Sequence, residues 1–309
     1  MVYDNTVVIV RSLPNTMRLS TSLVFLSILS SSLLGIEKSQ AEVFVTTSIR
    51  PLQLIAQAIV EDRGNVYAII DSQDSPHNYS ITPTDRINLE KADLLLRVSP
   101  DFEIFLADSF AAQSSSKPLI TAASVVGVRL ENLSDDSIDP HLWLNTNNAL
   151  AIARQLAVEL RQVDAENDEA YQEAFRLFES ELLSLNSLLQ SRLSQYEQSD
   201  YLVYHDAYQY FERQFGLPGG LALVHDPEVQ PSMRDLLELR NQLQAKTPSC
   251  ILLETDSDTE LVNTALENRT IKSEIVDLLG YEIEDGSRSY SRLMLSVADS
   301  FTDCFKHSL

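Results

Sequence analysis

The stretch YQEAFRLFESELLSLNSLLQSRLSQY, residues 171–196, is a long uninterrupted helical pattern in the middle of the chain. Its apolar residues recur at spacings of three and four, and no glycine or proline interrupts it, which predicts a single helix. At 1.5 Å per residue such a helix is roughly 39 Å long, enough to cross a whole domain. A solvent-exposed coiled-coil arm is one interpretation. A rigid strut between two lobes fits better, because strands and helices alternate on both sides of it.

Short apolar runs typical of strands precede and follow this helix. The predicted strands before it cover 43–47, 66–70, 94–98 and 117–121. Those after it cover 201–204, 221–224, 250–254 and 271–276. Strands that alternate with helices indicate a parallel sheet covered on both faces. The predicted fold class is therefore α/β, with two lobes that each contain a mostly parallel sheet flanked by helices, joined by one long rigid helix.

The predicted domain organisation has an N-terminal α/β lobe at 42–162, the linking helix at 163–199 and a C-terminal α/β lobe at 200–309. Residues 1–41 are predicted to be a secretory signal peptide, because Arg18 precedes a short apolar run and small residues end at Ala41. Met17 is an alternative start, since the residues ahead of it are atypical of a signal. No cysteine lies near the cleavage site, so no bacterial lipid anchor is expected.

The chain is acidic, with a formal net charge of −22 over 309 residues. This charge opposes binding to nucleic acid and to anionic membranes. A content of 44% hydrophobic and 22% charged residues is typical of a soluble globular protein. We expect no stable membrane span once the signal is removed, because its apolar run is too short to cross a bilayer.

The two cysteines of the chain are Cys250 and Cys304. In the oxidising compartment that export implies, a single pair usually forms a disulfide. Two buried free thiols are the alternative. Neither cysteine looks like a metal ligand, because no second sulfur lies nearby in the sequence.

Three of the five histidines, His77, His141 and His205, are separated by equal intervals of 64 residues and fall where strands should end and loops begin. Asp277 likewise follows the strand predicted at 271–276. Ligands of open α/β sheets bind outside the carboxyl ends of strands, and three imidazoles with a carboxylate or water satisfy the tetrahedral preference of zinc. Three imidazoles also favour zinc, nickel or copper over manganese. Alternatively, each histidine holds a loop through a backbone hydrogen bond, and Asp277 caps the segment after it.

Other candidates for the site are weaker. His225 also follows a predicted strand, so a secondary site or a residue at the lip of the cleft is one interpretation and an ordinary loop histidine the other. Glu228 lies in a proline-flanked turn and either lines the cleft or stabilises the turn. His307 is expected to be a solvated tail residue. No catalytic residue is predicted.

Several motifs, in order, resemble the metal-binding solute-binding proteins of bacterial ABC importers, most closely the zinc-uptake branch. The main ones are PHNYSITPTD (76–85), ADL (92–94), PHLWL (140–144) and HDAYQYF (205–211). Further similar stretches are PEVQP (227–231), DLLG (277–280) and SY (289–290). The resemblance covers about residues 43–305. It implies two lobes with a backbone helix, a metal site in the cleft and delivery to a permease with its cytoplasmic ATPase.

The resemblance also implies roles for individual residues. His77, His141 and His205 match the three histidine ligands of the zinc branch, whereas manganese-type members carry a carboxylate at the third position. Asp277 matches a position that supplies a fourth ligand in some members, while others use water there. Cys250 and Cys304 match the disulfide pair of zinc-branch proteins.

Two departures from the family pattern stand out. The loop before the second ligand, residues 128–139, contains no histidine, although many zinc-branch members have a histidine-rich acidic loop there. Its remaining acidic residues near the ligand are Asp135, Asp136 and Asp139, which weakens the case for a metal-gathering role. The usual proline after the late aspartate is Leu278, which affects how Asp277 points.

These features predict a monomeric periplasmic protein that captures Zn2+ as its transported ligand, passes it to a permease and catalyses nothing. Binding of manganese or another divalent metal by the same kind of importer component is one alternative. A secreted zinc hydrolase is another, since a three-histidine site can activate water. Against the hydrolase, the chain has no His-Glu-x-x-His helix, and Asp206 is the one general base beside a predicted ligand. A surface adhesin of the same fold ranks last, because no lipid-attachment cysteine is present.

Overall fold

The structure is a computed structural model that describes residues 42–71, 79–133, 136–227, 229–246, 248–267 and 269–306. Within these residues the named strands form two four-stranded sheets, and all neighbouring strands within each sheet are parallel. One sheet precedes the long helix and the other follows it. The predicted fold class is thus confirmed.

The sheet of the N-terminal lobe has the strand order β2-β1-β3-β4. Its strands are β1 Val43–Ile49, β2 Gly64–Ile70, β3 Leu94–Arg97 and β4 Leu119–Thr121. The helices of this lobe are α1 Arg50–Val60, α2 Pro83–Lys91, α3 Ala107–Ser114 and α4 Thr146–Val163. The buried strand residues are mainly Val, Ile and Leu, as expected for a parallel sheet covered on both faces.

Capping residues define where two of these helices begin. The Thr82 side chain accepts a hydrogen bond from the Asp85 N–H, and the Asp85 carboxylate accepts one from the Thr82 N–H, which forms a capping box ahead of α2. The Asn145 side chain accepts hydrogen bonds from the N–H groups of Asn147 and Asn148 at the start of α4. Thr and Asn are among the residues preferred at helix N-caps.

The sheet of the C-terminal lobe repeats the same topology, with the order β6-β5-β7-β8. Its strands are β5 Leu202–His205, β6 Leu221–Val224, β7 Cys250–Leu253 and β8 Lys272–Ile275. Its helices are α6 Gln209–Phe215, α7 Met233–Ala245, α8 Thr259–Leu266 and α9 Ser289–Phe305. In both lobes the first strand is central, so its carboxyl end lies in the middle of the sheet edge.

The long helix is α5, Asp168–Leu193, with 26 residues. Its buried face packs against α1, α4 and α9, which places it between elements of both lobes. The side chains that it buries are Tyr171, Ala174, Phe178, Leu182, Leu185, Leu189 and Leu193. These recur at helical spacing, so the periodicity seen in the sequence is the packed face of this helix.

The C-terminal helix α9 also connects the lobes, because it packs against α1 in one lobe and against β7 and β8 in the other. The Tyr290 hydroxyl donates to the Trp143 carbonyl oxygen at 2.7 Å, and the Trp143 indole N–H donates to the Leu278 carbonyl oxygen at 3.0 Å. All the described residues belong to one compact unit. No helix in the described part of the chain has the length and apolar character needed to cross a membrane.

A disulfide joins Cys250, the first residue of β7, to Cys304 near the end of α9. Both residues are fully buried. The bond therefore fastens the helix that bridges the lobes to the central part of the C-terminal sheet.

We expect the Cys250→Ala/Cys304→Ala double variant to lose stability, because the disulfide restricts the unfolded chain. For a separation of 54 residues, the chain-entropy relation gives a loss of about 4 kcal/mol in the free energy of unfolding. Urea unfolding followed by circular dichroism measures it. Wild-type protein with a reductant is the control and should show a similar loss. Equal stability with and without the reductant would contradict the prediction.

Glu212 is a buried carboxyl group on α6. Its Oε1 accepts hydrogen bonds from the Tyr201 hydroxyl at 2.5 Å and from the Gly220 N–H at 2.9 Å. The same hydroxyl lies 2.9 Å from the Pro218 carbonyl oxygen, so its single proton faces two acceptors. Burial raises the pKa of Glu212 from 4.5 to about 7. A protonated Glu212 resolves the conflict, because it can donate to the phenol oxygen while the phenol donates to Pro218.

The Glu212→Gln variant should change how stability depends on pH. The folded protein holds the Glu212 proton to about pH 7, whereas the unfolded chain releases it near the ordinary pKa of 4.5. The folded state binds more protons in this interval, so the free energy of unfolding falls as pH rises from 4.5 to 7. We expect Glu212→Gln to gain up to about 3 kcal/mol relative to wild type across that interval.

Urea unfolding at a series of pH values tests this. The control is Glu238→Gln, which changes an exposed glutamate on α7 and should follow the wild-type profile. Parallel profiles of wild type and Glu212→Gln would show that Glu212 does not titrate in this range.

Candidate metal centre

Two of the predicted ligands, His141 and His205, face each other across the two lobes. His205 is the last residue of β5, and His141 lies in the loop that leads into α4. Their Nε2 atoms are 3.2 Å apart and their ring centroids 5.1 Å apart. Both side chains are almost completely buried. Residues that are 64 positions apart in the chain therefore meet at one point.

The distance between the two Nε2 atoms suits metal binding. Two ligands that each lie about 2.05 Å from a tetrahedral zinc ion are about 3.3 Å from each other. The observed 3.2 Å is close to this value. Two imidazole nitrogens at this distance require a proton or a cation between them, because two lone pairs would otherwise repel each other.

A carboxylate fixes the other ring nitrogen of His141. Asp139 Oδ1 lies 2.7 Å from His141 Nδ1 and also accepts a hydrogen bond from the His141 backbone N–H at 2.9 Å. Asp139 is fully buried. The Tyr210 hydroxyl of α6 donates to the Asp139 carbonyl oxygen at 2.9 Å, so the C-terminal lobe holds the loop that carries His141.

A second carboxylate fixes His205 in the same way. Glu254 Oε1 lies 2.7 Å from His205 Nδ1, and the Tyr208 hydroxyl donates to the same oxygen at 3.2 Å. Burial alone would lower the pKa of His205, but the Glu254 carboxylate outweighs burial and leaves that pKa raised.

Together the two carboxylates determine which ring nitrogens can bind a metal. An ionised carboxylate only accepts hydrogen bonds, so each Nδ1 carries the proton. The Nε2 lone pairs of His141 and His205 are then directed into the space between the rings. Carboxylates that orient the far nitrogen of a histidine are a common feature of metal sites.

Aromatic rings border His141. Its ring centroid lies 5.2 Å from Trp143 and 6.5 Å from Phe102. The loop that carries Phe102 is held by the buried Glu103, whose carboxylate accepts hydrogen bonds from the N–H groups of Val98 at 2.8 Å and Ser99 at 2.9 Å. The Ser48 hydroxyl donates to the same carboxylate. Burial raises the pKa of Glu103 to about 7.

An open cleft of about 670 Å3 reaches His141 from the surface. Both lobes contribute to its walls. Its ionisable lining residues are Asp101, Asp136, His141, Asp206, His225 and Asp226. His225 Nδ1 lies 4.0 Å from Asp206 Oδ2, and the His225 side chain is 70% exposed, so His225 is at the lip of this cleft rather than beside the buried pair.

Asp277, the predicted fourth ligand, lies just beyond the carboxyl end of β8 and organises a turn. Its Oδ1 accepts hydrogen bonds from the N–H groups of Leu279 at 3.1 Å and Gly280 at 2.7 Å. Its Oδ2 accepts one from the Glu282 N–H at 3.0 Å. Its role as a ligand stays a prediction.

The predicted ligand His77 lies outside the described residues, as do Asp135, Glu228 and His307. In the part of the chain that the structure describes, no three His, Cys, Asp or Glu residues are grouped to hold a metal ion. The structure thus brings together two of the four predicted ligands.

The orienting roles of Asp139 and Glu254 were missed by the sequence reasoning. Glu254 is the last residue of the strand predicted at 250–254, which placed it at a strand end but did not show that it lies beside His205. Asp139 is two residues from His141, within reach of its imidazole.

Curated relatives match over most of their length. The high-affinity zinc uptake system protein ZnuA of Yersinia pestis is 27% identical over 308 residues, which covers 90% of this chain and 96% of that protein. The ZnuA of Brucella abortus (strain 2308) is 24% identical over 303 residues, with 84% and 91% covered. The ZnuA of Bacillus subtilis (strain 168) is 23% identical over 276 residues, with 84% and 86% covered.

Solved structures share the fold. A zinc-bound ZnuA deletion mutant has a TM-score of 0.74 at 22% identity, with 85% of this chain and 98% of that chain covered. The periplasmic zinc binding protein TroA from Treponema pallidum has a TM-score of 0.75 at 16% identity, with 85% and 99% covered. A manganese-bound periplasmic metal binding protein from Candidatus Liberibacter asiaticus has a TM-score of 0.71 at 20% identity, with 85% and 99% covered.

The model of one protein family matches almost the whole region that contains the two lobes. That family is described as zinc-uptake complex component A, periplasmic, and the match extends over residues 45–304. It includes the sequence positions of all three predicted histidine ligands and Asp277. The chain therefore belongs to the ZnuA family of periplasmic zinc-uptake components.

Proposed function

We propose that this protein captures Zn2+ in the cleft between its lobes and delivers it to the permease of an ABC importer. The observation that carries the proposal is the convergence of the His141 and His205 Nε2 atoms, 3.2 Å apart and supplied by different lobes. Members of its family are transport components rather than enzymes, so the metal is the cargo and the hydrolase interpretation is not retained.

The proposed ligands are His77, His141 and His205, with Asp277 or a water molecule in the fourth position. His77 enters through its motif, PHNYSITPTD (76–85), which resembles that of the zinc branch. Three imidazoles suit Zn2+ better than Mn2+, which prefers oxygen ligands. The carboxylates Asp139 and Glu254 support metal binding at this point, because each lies at hydrogen-bonding distance from Nδ1 of its histidine and leaves Nε2 as the nitrogen that faces the metal.

The proposed location is the periplasm, reached through the signal peptide predicted at 1–41. A disulfide between Cys250 and Cys304 agrees with an oxidising compartment. The acidic cleft attracts cations, because the described residues that line it include several carboxylates and no Lys or Arg. We propose that the protein acts as a monomer and binds no nucleic acid.

Replacing the histidine ligands tests the proposal. We expect His77→Ala, His141→Ala and His205→Ala each to weaken zinc binding by at least about 100-fold, because each removes a direct metal bond. Zinc titration in competition with a coloured chelator measures this. Wild-type affinity should also fall as pH drops, since protonated imidazole cannot coordinate metal. The raised pKa of His205 places the start of this fall above the ordinary imidazole value of about 6.5.

His225→Ala is the matched control, because His225 lies at the lip of the same cleft. It should keep wild-type affinity within about twofold. Unchanged zinc affinity in all three ligand variants would refute the proposed function. Elemental analysis of protein purified from its native compartment should find zinc near one equivalent, whereas manganese or iron would redirect the assignment.

The Asp277→Asn variant tests the fourth ligand. Asparagine keeps one oxygen for the N–H groups of Leu279 and Gly280, so the turn should persist. If Asp277 is a ligand, its replacement should lower zinc affinity at least about tenfold. Asp258→Asn, which changes the N-cap of α8, is the control for a general effect of neutralising an aspartate. Wild-type affinity in Asp277→Asn would assign the fourth position to water.

A further inference from the structure

We propose that Glu254 is a positioning residue for metal capture, which fixes the tautomer and the orientation of His205 without touching the metal. This inference rests on the proposed function and deepens it. Glu254 Oε1 lies 2.7 Å from His205 Nδ1. The side chains of His205 and Glu254 are only 5% and 13% exposed, so water competes little for this contact.

The sheet topology places Glu254 beside His205. Strand β5 pairs in parallel with β7, and the register aligns Val203 with Leu252. Continuing this register by two residues on each strand brings His205 next to Glu254. The imidazole and the carboxylate that orients it thus leave the carboxyl ends of neighbouring strands at the same edge of the sheet.

Glu254 is itself held in place from two sides. Its backbone N–H donates to Ser257 Oγ at 2.8 Å, and its Oε1 accepts from the Tyr208 hydroxyl at 3.2 Å. Tyr208 is fully buried, and its ring packs edge-on against Phe301 of α9, with centroids 5.6 Å apart. A continuous set of contacts therefore links His205 to the packed core through Glu254 and Tyr208.

A carboxylate beside Nδ1 favours one of the two tautomers of His205. An ionised carboxylate accepts a hydrogen bond from Nδ1–H and cannot donate one, so it selects the tautomer with its lone pair on Nε2, facing His141. An amide in the same position can either accept from Nδ1–H or donate to a bare Nδ1. When the amide donates to Nδ1, the imidazole proton lies on Nε2, and Nε2 then cannot bind the metal. Glu254→Gln therefore removes the selection while keeping the shape of the side chain.

The pairing of Glu254 with His205 differs from that of Asp139 with His141. Asp139 lies two residues from its histidine in the same loop, so local backbone geometry contributes to that contact. Glu254 reaches His205 from a separate strand. Its replacement should therefore free the His205 ring without disturbing the backbone that carries the ligand.

The test compares Glu254→Gln, Tyr208→Phe and their double variant with wild type. Glu274→Gln is the matched control, because Glu274 lies on β8 of the same sheet and pairs with Lys272 away from the histidines. Zinc affinity and dissociation rate are measured by chelator competition. Side-chain 15N spectra of the metal-free and zinc-bound proteins report the His205 tautomer, and thermal unfolding of the metal-free proteins reports stability.

We expect Glu254→Gln to weaken zinc binding by about 10- to 100-fold, mainly through faster dissociation. It should also give a mixture of His205 tautomers in the metal-free protein. Tyr208→Phe should have a smaller effect, and adding it to Glu254→Gln should change zinc affinity little further, because both act through one contact. Glu274→Gln should bind zinc like wild type.

Zinc affinity of Glu254→Gln within about twofold of wild type would overturn the inference. So would weaker binding with an unchanged His205 tautomer and a lower unfolding temperature, which would show a structural role only. Failure of the proposed function would appear differently, because wild-type protein would then bind no zinc before any variant is compared.

Discussion

The metal centre depends on one constraint. The two lobes must hold the imidazoles of His141 and His205 close enough to share one metal ion. The Nε2 atoms are 3.2 Å apart although the two histidines belong to different lobes, His205 at the end of β5 and His141 in the loop that leads into α4. A shift of about 1 Å between the lobes would exceed the displacement of about 0.5 Å that such a site tolerates. The interfaces between the lobes therefore matter to the site as much as the histidines do.

Three helices fix the position of one lobe relative to the other. The long helix α5 packs against helices of both lobes, and α9 packs against α1 and against the C-terminal sheet. The short helix α6 begins four residues after His205, and its Tyr210 hydroxyl donates to the carbonyl oxygen of Asp139, next to the loop that carries His141. Such an arrangement favours metal exchange through local side-chain movement over the wide opening of a hinged pair of domains.

Much of this architecture could be predicted from local sequence. The alternation of strands and helices predicted the two parallel sheets, which the structure confirms. The start of α3 at Ala107 is set by contacts outside the helix, because Glu103 accepts hydrogen bonds from the N–H groups of Val98 and Ser99 and holds the preceding chain in a turn. These contacts are not visible in hydrophobic spacing.

The candidate site was predictable in part. The motifs that contain His141 and His205 predicted a common metal site, and the structure brings these two histidines together. The role of Glu254 was not predictable, because it depends on β5 lying beside β7. Strand order is a property of the whole fold, so two residues 49 positions apart become neighbours only once the sheet is assembled.

The position of Trp143 has a practical consequence. It is the one tryptophan in the chain, it is fully buried, and its ring lies 5.2 Å from that of His141. Indole emission responds to charge and motion in adjacent groups, and here the adjacent group is a proposed ligand. The protein thus carries an intrinsic fluorophore at its own binding site, through which occupancy can be followed without an added dye.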